Sequence, residues 1–250
     1  MIEIKSVAQI EKMRVAGRIA AQALKLAGER VRVGTTTAEV DKVVREYIQE
    51  NGAIPSFLGY GGFPASCCIS INSEVIHGIP SQNRVIACGD VVKIDIGAYL
   101  DGYHGDCADT FIAGVISEEK LKLVETARAA FWAGVEQLKV GNRMGDVGAA
   151  IQAIVESAGF DVVKKFIGHG IGANLHEEPE VPNYGTPGRG TRLAVGMTLA
   201  IEPMIAAGSA DVRVLEDDWT VVTVDGSLAA HFEHTVALTE NGVEILTLAD

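Results

Sequence analysis

Apolar residues recur at helical spacing from the start of the chain (Ile10, Met13, Val15, Ala16, Ile19, Ala20, Ala23, Leu24), which predicts a helix over residues 6–29 with Ser6 as its N-cap. After Val33-Gly34, the threonines at 35–37 precede a second helix that runs to about Glu50 and closes at Asn51-Gly52. Residues 53–89, rich in Gly and Pro, are expected to form loops and short strands. From residue 91 the pattern becomes that of a hairpin. Val91, Val92, Ile94 and Ile96 give a strand, Asp101-Gly102 is the signal of a two-residue type I′ turn, and residues 103–111 return. Such a turn pairs Leu100 with Tyr103, Asp95 with Ala108 and Gly97 with Asp106. Asp95 and Asp106 then share a face as diagonal neighbours, roughly 7–8 Å apart at Cα. Two carboxylates so placed either converge on a cation or stand unrelated on a solvent-facing hairpin.

At Ser117 the pattern starts again. Residues 117–141, SEEKLKLVETARAAFWAGVEQLKVG, predict a long helix ending at Val140-Gly141, and residues 146–157 predict a second ending at Ala158-Gly159. One offset of 107 relates Val33-Gly34 to Val140-Gly141, Val40 to Val147, Gly52 to Gly159, and GDVVKID (89–95) to GMTLAIE (196–202). Glu202 therefore takes in the second half the place of Asp95 in the first. Matches in register imply a duplicated unit, about 5–115 and about 117–250, whose halves pack about an approximate two-fold axis. No linker rich in Pro, Ser or charge separates them, so residues 1–250 are expected to form a single domain of α/β (α+β) class.

Composition narrows the class of ligand. Of 250 residues 48% are hydrophobic, enough to bury a substantial core. A formal charge of −12 and a pI near 5.0 argue against non-specific nucleic-acid binding or an anionic membrane partner, since both want clustered Lys and Arg. A soluble protein with a small-molecule or peptide ligand fits better. No apolar run is long enough for a signal peptide or a span, so a cytoplasmic location is expected. The four cysteines, Cys67, Cys68, Cys88 and Cys107, have no metal-site spacing and are expected to be reduced thiols packed as small hydrophobes.

Further chemistry gathers in the second half. Glu202 precedes Pro203, so the strand should end or bend there and turn the carboxylate inward. In AAHFEHTVAL (229–238), alternation puts His231, Glu233 and Thr235 on one face and Phe232, His234 and Val236 on the other, so either His231 with Glu233 or His234 could serve a site, but not readily both. In IGHGIG (167–172), glycines flank His169, which suggests close backbone approach or unusual dihedrals around a positioned imidazole. A lone His in a glycine loop is otherwise a satisfied structural residue.

The set Asp95, Asp106, His169, Glu202 and Glu233, with NSEVIHGIP, KIDIGAYLDGYHGD, GHGIG, HEEP, GMTLAIEP, DDWTVVT and FEHTVALTENGVEILT, resembles the type I methionine aminopeptidases of the pita-bread metallopeptidase family, from about Ile10 to Leu248. The resemblance implies two pseudo-two-fold-related αβ halves, with a curved antiparallel sheet covered by helices, around two divalent metal ions (Co, Mn, Fe or Zn). It implies that Asp95 binds one metal, His169 and Glu202 the other, and that Asp106 and Glu233 bridge them. An oxygen-dominated set of formal charge −4 suits two such cations. A water between the metals would attack the scissile carbonyl, with Glu202 as general base and acid. His77 and His176 are implied to face the substrate. Phe57, Tyr60, Phe63, Cys68, His77, Leu175 and Trp219 are implied to surround the methionine side chain, although aromatics at such spacings are more often plain core. Some family members carry Cys, Tyr and Phe where Phe57, Phe63 and Leu175 stand. The loop at Asn72-Ser73 resembles one that holds a monovalent cation through backbone carbonyls.

Two expectations concern individual histidines. Glu177 and Glu178 should keep the His176 imidazole protonated or a good donor toward the oxygen that gains charge, whereas His77 should position the scissile nitrogen. His231 should either touch a metal ligand or water and add an ionisation in the usual histidine range, or point outward as the partner of a surface carboxylate. Implied partners are N-terminal methionyl peptides and nascent chains, acted on by a monomer. A ribosome contact is a further implied partner, though no basic or zinc-binding extension supports it. The rival enzyme is an X-Pro aminopeptidase or prolidase, which shares the five ligands but carries a sizeable domain ahead of the catalytic half. The rival from another class is a non-catalytic pita-bread peptide-binding protein, which usually lacks the ligands.

Overall fold

A computed structural model of the chain describes residues 1–115 and 117–249. Helix α1 (Val7–Glu29) starts at Ser6, whose hydroxyl accepts from the Gln9 N–H while the Gln9 side chain accepts from the Ser6 N–H. Thr36 and Glu39 repeat the device at α2 (Thr37–Glu50). The apolar stripe of α1 is buried except for Val15, which faces solvent. Short strands β1 (Ile54–Pro55), β2 (Cys68–Ile71) and β3 (Glu74–Ile76) lead to the hairpin of β4 (Val91–Leu100) and β5 (Tyr103–Ile112). Its register is the predicted one: Leu100 opposes Tyr103, Asp95 opposes Ala108 and Gly97 opposes Asp106. Asp101 and Gly102 have φ of 50° and 88°, as a type I′ turn requires.

In the second half, Ser117 caps α3 (Glu118–Val135), which stops short of the predicted Val140-Gly141 because Gln137 and Leu138 bond back to Gly134 and Val135 in tight turns. Helix α4 (Met144–Ser157) begins before the predicted Asp146. That side chain is the third helical residue and accepts from the backbone N–H of Arg143, the N-cap. The strands are β6 (Asp161–Val162), β7 (Gly168–Gly170), β8 (Glu177–Val181), β9 (Thr198–Ile201), β10 (Met204–Ala206), β11 (Val212–Val214), β12 (Val221–Thr223), β13 (Ala229–His231), β14 (Glu233–Thr239) and β15 (Gly242–Ile245).

Among the described residues a curled antiparallel sheet runs β1-β4-β5-β14-β9-β7-β8, with β2 on β4 and β15 on β14. The offset of 107 runs through the strand pairing, within this sheet and in the separate sheet β13-β10-β6. Ile54 and Pro55 oppose Tyr99 and Ala98, while Asp161 and Val162 oppose Ala206 and Ile205. Isolated bridges join Thr36 to Val85 and Arg143 to Arg192. Helix α1 lies so close to β5 that a Cβ on Gly105 would overlap the Gly17 backbone. One core lies between α1, α2 and the first half of the sheet, and a second, around Phe131, lies under α3 and α4. Between them a small cluster joins Ile10 and Met13 to Phe57, Phe63, Cys68 and Leu175. Three cysteines are buried as expected, whereas Cys88 is exposed in the loop before Gly89. No helix among the described residues is long and apolar enough to cross a membrane.

Candidate metal centre

The centre forms where β5 meets β14, with Glu233 opposite Ala108 and His234 opposite Cys107. Asp95 and Asp106 stand on one face of the unbroken hairpin. Glu202 occupies the break between β9 and β10, at the bend expected before Pro203, and its carbonyl accepts from the buried Asn183 side chain at 3.0 Å. His169 sits on β7, where glycine permits close backbone approach rather than unusual dihedrals. A Cβ on Gly168 or Gly170 would overlap the carbonyl oxygen of Ala200 or Glu178. His231 lies on the face of Glu233, with its Nε2 3.8 Å from Glu233 Oε2 and 3.9 Å from Glu202 Oε2. His234 is on the other face, bonded through Nδ1 to Thr247 and edge-on to Phe131 and Phe232. Two threonines that sequence reasoning missed hold the backbone here. Thr110 Oγ1 donates to the His231 carbonyl and accepts from its N–H, and Thr235 Oγ1 does both for Asp106.

The donors face one another with too few protons to go round. His169 Nδ1 lies 2.9 Å from the Gly170 carbonyl, which can only accept, so Nδ1 carries the hydrogen and Nε2 is a bare lone pair. That lone pair points at Glu202 Oε1, 3.5 Å away. Asp95 Oδ1, Asp106 Oδ1, Glu233 Oε1 and both ring nitrogens of His231 are buried without a hydrogen-bond partner. Burial raises Asp95 to about 7, despite a hydrogen bond from Asp106. Burial first, then the neighbouring carboxylates, pushes Asp106, Glu202 and Glu233 well above the usual range. Ligand atoms of Asp106, His169 and Glu233 lie within 4.8 Å of one another, as do those of Glu202, His231 and Glu233. Acceptors gathered in this way fit divalent cations, which would satisfy the orphaned oxygens and the His169 lone pair together.

A cavity of about 210 Å³ opens onto these residues. Asp95, Asp106, His169, Glu202, Glu233, Phe57, Tyr60, Phe63, Cys68, His77, Leu175, His176 and Trp219 all line it, together with Gly61. The aromatic wall is core and pocket at once, with Phe63 edge-on to Trp219 at 5.1 Å. His77 adopts φ 60° and packs edge-on to Phe166, a neighbour that no sequence signal marked. Burial, with His176 nearby, lowers His77 to about 4.

His176 differs from expectation. Its carboxylate neighbours turn away, Glu177 to Lys5 and the Asn174 N–H, Glu178 to solvent, and burial lowers its pKa. Its Nδ1 meets the Tyr60 hydroxyl at 2.7 Å. In the neutral tautomer that accepts this hydroxyl the hydrogen lies on Nε2, which can donate without a positive charge. His231 is likewise lowered, to about 3, by burial and then by His77 and Lys93, which runs against an added ionisation in the usual histidine range. At Asn72, the carbonyl expected to face a monovalent cation accepts from the Lys93 ammonium at 2.8 Å.

A family model described as metallopeptidase family M24 matches residues 11–240. A methionine aminopeptidase of Clostridium acetobutylicum is 54% identical over 250 residues, covering 100% of both chains. The crystal structure of methionine aminopeptidase from Thermotoga maritima matches with a TM-score of 0.98 at 47% identity, covering 99% of this chain and 100% of that one. A prolidase from Pyrococcus furiosus lies further off, at a TM-score of 0.79 and 27% identity, with 99% of this chain but 66% of that one covered.

Proposed function

The chain belongs to metallopeptidase family M24, and from that membership we propose that it is a metal-dependent aminopeptidase that removes the N-terminal methionine from peptides and nascent proteins whose second residue is small. The observation that carries the chemistry is the His169 Nε2 lone pair aimed at Glu202 Oε1 among unpartnered carboxylates, beside an apolar cavity. Full-length identity to methionine aminopeptidases, against 27% to the prolidase, favours methionine over X-Pro specificity. The five acceptors argue against a protein that only binds peptides.

We assign Asp95 to one divalent ion, His169 and Glu202 to the other, and Asp106 and Glu233 to both. Cobalt, manganese, iron and zinc all suit this set, in which oxygen outnumbers nitrogen. When bound, the two ions acidify a water and polarise the peptide carbonyl. Glu202 takes a proton in the attack and passes it toward the leaving nitrogen. His176, oriented by Tyr60, donates to the oxygen that gains charge in the tetrahedral intermediate. His77 orients the scissile amide nitrogen. Phe57, Phe63, Cys68, Leu175 and Trp219 take the thioether side chain, which suits a polarisable apolar wall. We assign the whole chain to one catalytic domain that acts as a monomer in the cytoplasm, where nascent chains are made. Incubation with Met-Ala-Ser and with Ala-Pro peptides tests the reading. Free methionine from the first alone is expected, and cleavage of Ala-Pro alone would transfer the chain to the prolidase side of the family.

A further inference from the structure

Lys93 is fully buried on β4, two residues before Asp95 and on the same face of the strand. Its Nζ donates to the carbonyl of Asn72 at 2.8 Å and to that of Val91 at 3.3 Å. Each of those oxygens already accepts one backbone N–H, from Ala229 at 3.0 Å and from Asn72 at 2.8 Å, so the ammonium takes the second lone pair of each. Asn72 is locked in place by further bonds. It has φ 58°, its side-chain amide donates to Asp90, and its side-chain oxygen accepts from the Val91 N–H. Asn72 is thereby joined both to Lys93 and to β13, the strand that ends at His231.

Burial, with Arg84 nearby, lowers Lys93 to about 7 against the support of Glu74 and Asp90, so the ammonium form is the one held below that pH. A buried ammonium is expensive unless polar groups replace its hydration, and here two fixed carbonyl oxygens do so. A cluster of buried carbonyl oxygens is also the chemistry that binds a bare alkali metal ion.

We propose that Lys93 is a tethered cation that fills the carbonyl pocket of Asn72 and Val91 from within the chain, and so holds β13 against β4 with no alkali metal ion. Lys93 is a positioning residue: it touches neither substrate nor reacting atoms and acts through the backbone that carries His231. Removal of the side chain should leave a vacant pocket that sodium or potassium can enter, whereas an apolar side chain of similar length should block it.

The test compares metal-loaded wild type, Lys93→Ala and Lys93→Met in choline, sodium and potassium chloride at equal ionic strength, reading Tm and kcat/KM. Wild type should be the same in all three salts. Lys93→Ala should fall at least about tenfold in kcat/KM in choline and recover most of it in sodium or potassium, with Tm rising by at least about 3 °C. Lys93→Met should fall and not recover. The proposal is overturned by a wild type that gains from alkali salts, by a Lys93→Ala protein that matches wild type in choline, or by one that no alkali ion restores beyond Lys93→Met. Should Lys93→Ala fail to fold, Lys93→Asn is judged by the same criteria. Because Tm needs no substrate, these outcomes stand apart from the choice between methionine and X-Pro specificity.

Discussion

The hairpin β4–β5 and its counterpart in the second half use one register on two different backbones. In the first half both strands run unbroken for ten residues, and Gly97 faces Asp106. In the second, Met204 faces His231 at the corresponding place, but the chain is interrupted at Glu202-Pro203 and again at Phe232. Glu202 and Glu233 lie in the gap between the paired Ile201–His234 and Met204–His231. A continuous ladder presents every second side chain to the site and keeps it rigid, so it supplies Asp95 and Asp106. A broken ladder frees backbone groups and lets longer carboxylates turn inward. Across the join of the halves, Thr110 holds the His231 backbone and Thr235 the Asp106 backbone. One half of the centre is thus set by regular pairing and the other by its interruption.

The largest test of that division is to remove one carboxylate from each half. Asp106→Asn and Glu233→Gln should each lower kcat/KM by at least roughly 10³-fold, since loss of either costs several kcal/mol of charge stabilisation. Both should bind less metal while their circular dichroism stays native. If one variant keeps near wild-type turnover at matched metal loading, the two halves do not share the metals as assigned.

Next in size is the contrast between His77 and His176, the two histidines assigned to the substrate. His176→Ala should lose roughly 10²–10³ in kcat with little change in KM, as for a lost oxyanion donor, whereas His77→Ala should change both constants. A His176→Ala enzyme with unchanged kcat and a raised KM would reverse the two roles.

His231 stands where the first half has Asp106, yet burial lowers its pKa to about 3. His231→Gln should therefore cost about 10–100-fold in activity, as loss of a group supporting metal ligands does, and leave the shape of the pH profile between about pH 6 and 8 unaltered. Loss of an ionisation from that window would show that the ring titrates there.

The smallest effect concerns stability and pH. Without metal, the raised values of Asp95, Asp106, Glu202 and Glu233 mean that the folded chain holds protons the unfolded chain has released, so stability falls as pH rises through the folded values. His169 and His231, lowered to about 3, cost stability only as pH falls below their unfolded value of 6.5. Lys93, lowered to about 7, offsets one carboxylate above that pH. The chelated protein should lose Tm between about pH 6.5 and 8.5, and protein loaded with divalent ions should not. Equal slopes with and without metal would mean that the carboxylates do not meet at the ions.

Much of this was legible because regular structure obeys short rules. The hairpin register followed from Asp101-Gly102, and the counterpart of Asp95 followed from an offset of 107. The wall of the cavity became legible through family resemblance, since Phe57 and Leu175 carry no pattern that separates pocket from core. What escaped depends on contacts between distant segments. Thr110 and Thr235 bond across the join of the halves, Phe166 packs on His77, and Lys93 reaches the carbonyl of a loop 21 residues away. The charge on His176 was misjudged for the same reason. Adjacent Glu177 is claimed by Lys5, 172 residues distant, while Tyr60 arrives from the other half.

On the proposed assignment, these acceptors hold two metal ions to release methionine. Chelator-stripped protein titrated with manganese or cobalt, with free methionine from Met-Ala-Ser measured at each addition, tests it most directly. Release should rise from nothing and level off by about two equivalents of bound metal per chain. No methionine at any loading, with two ions bound, would contradict the account.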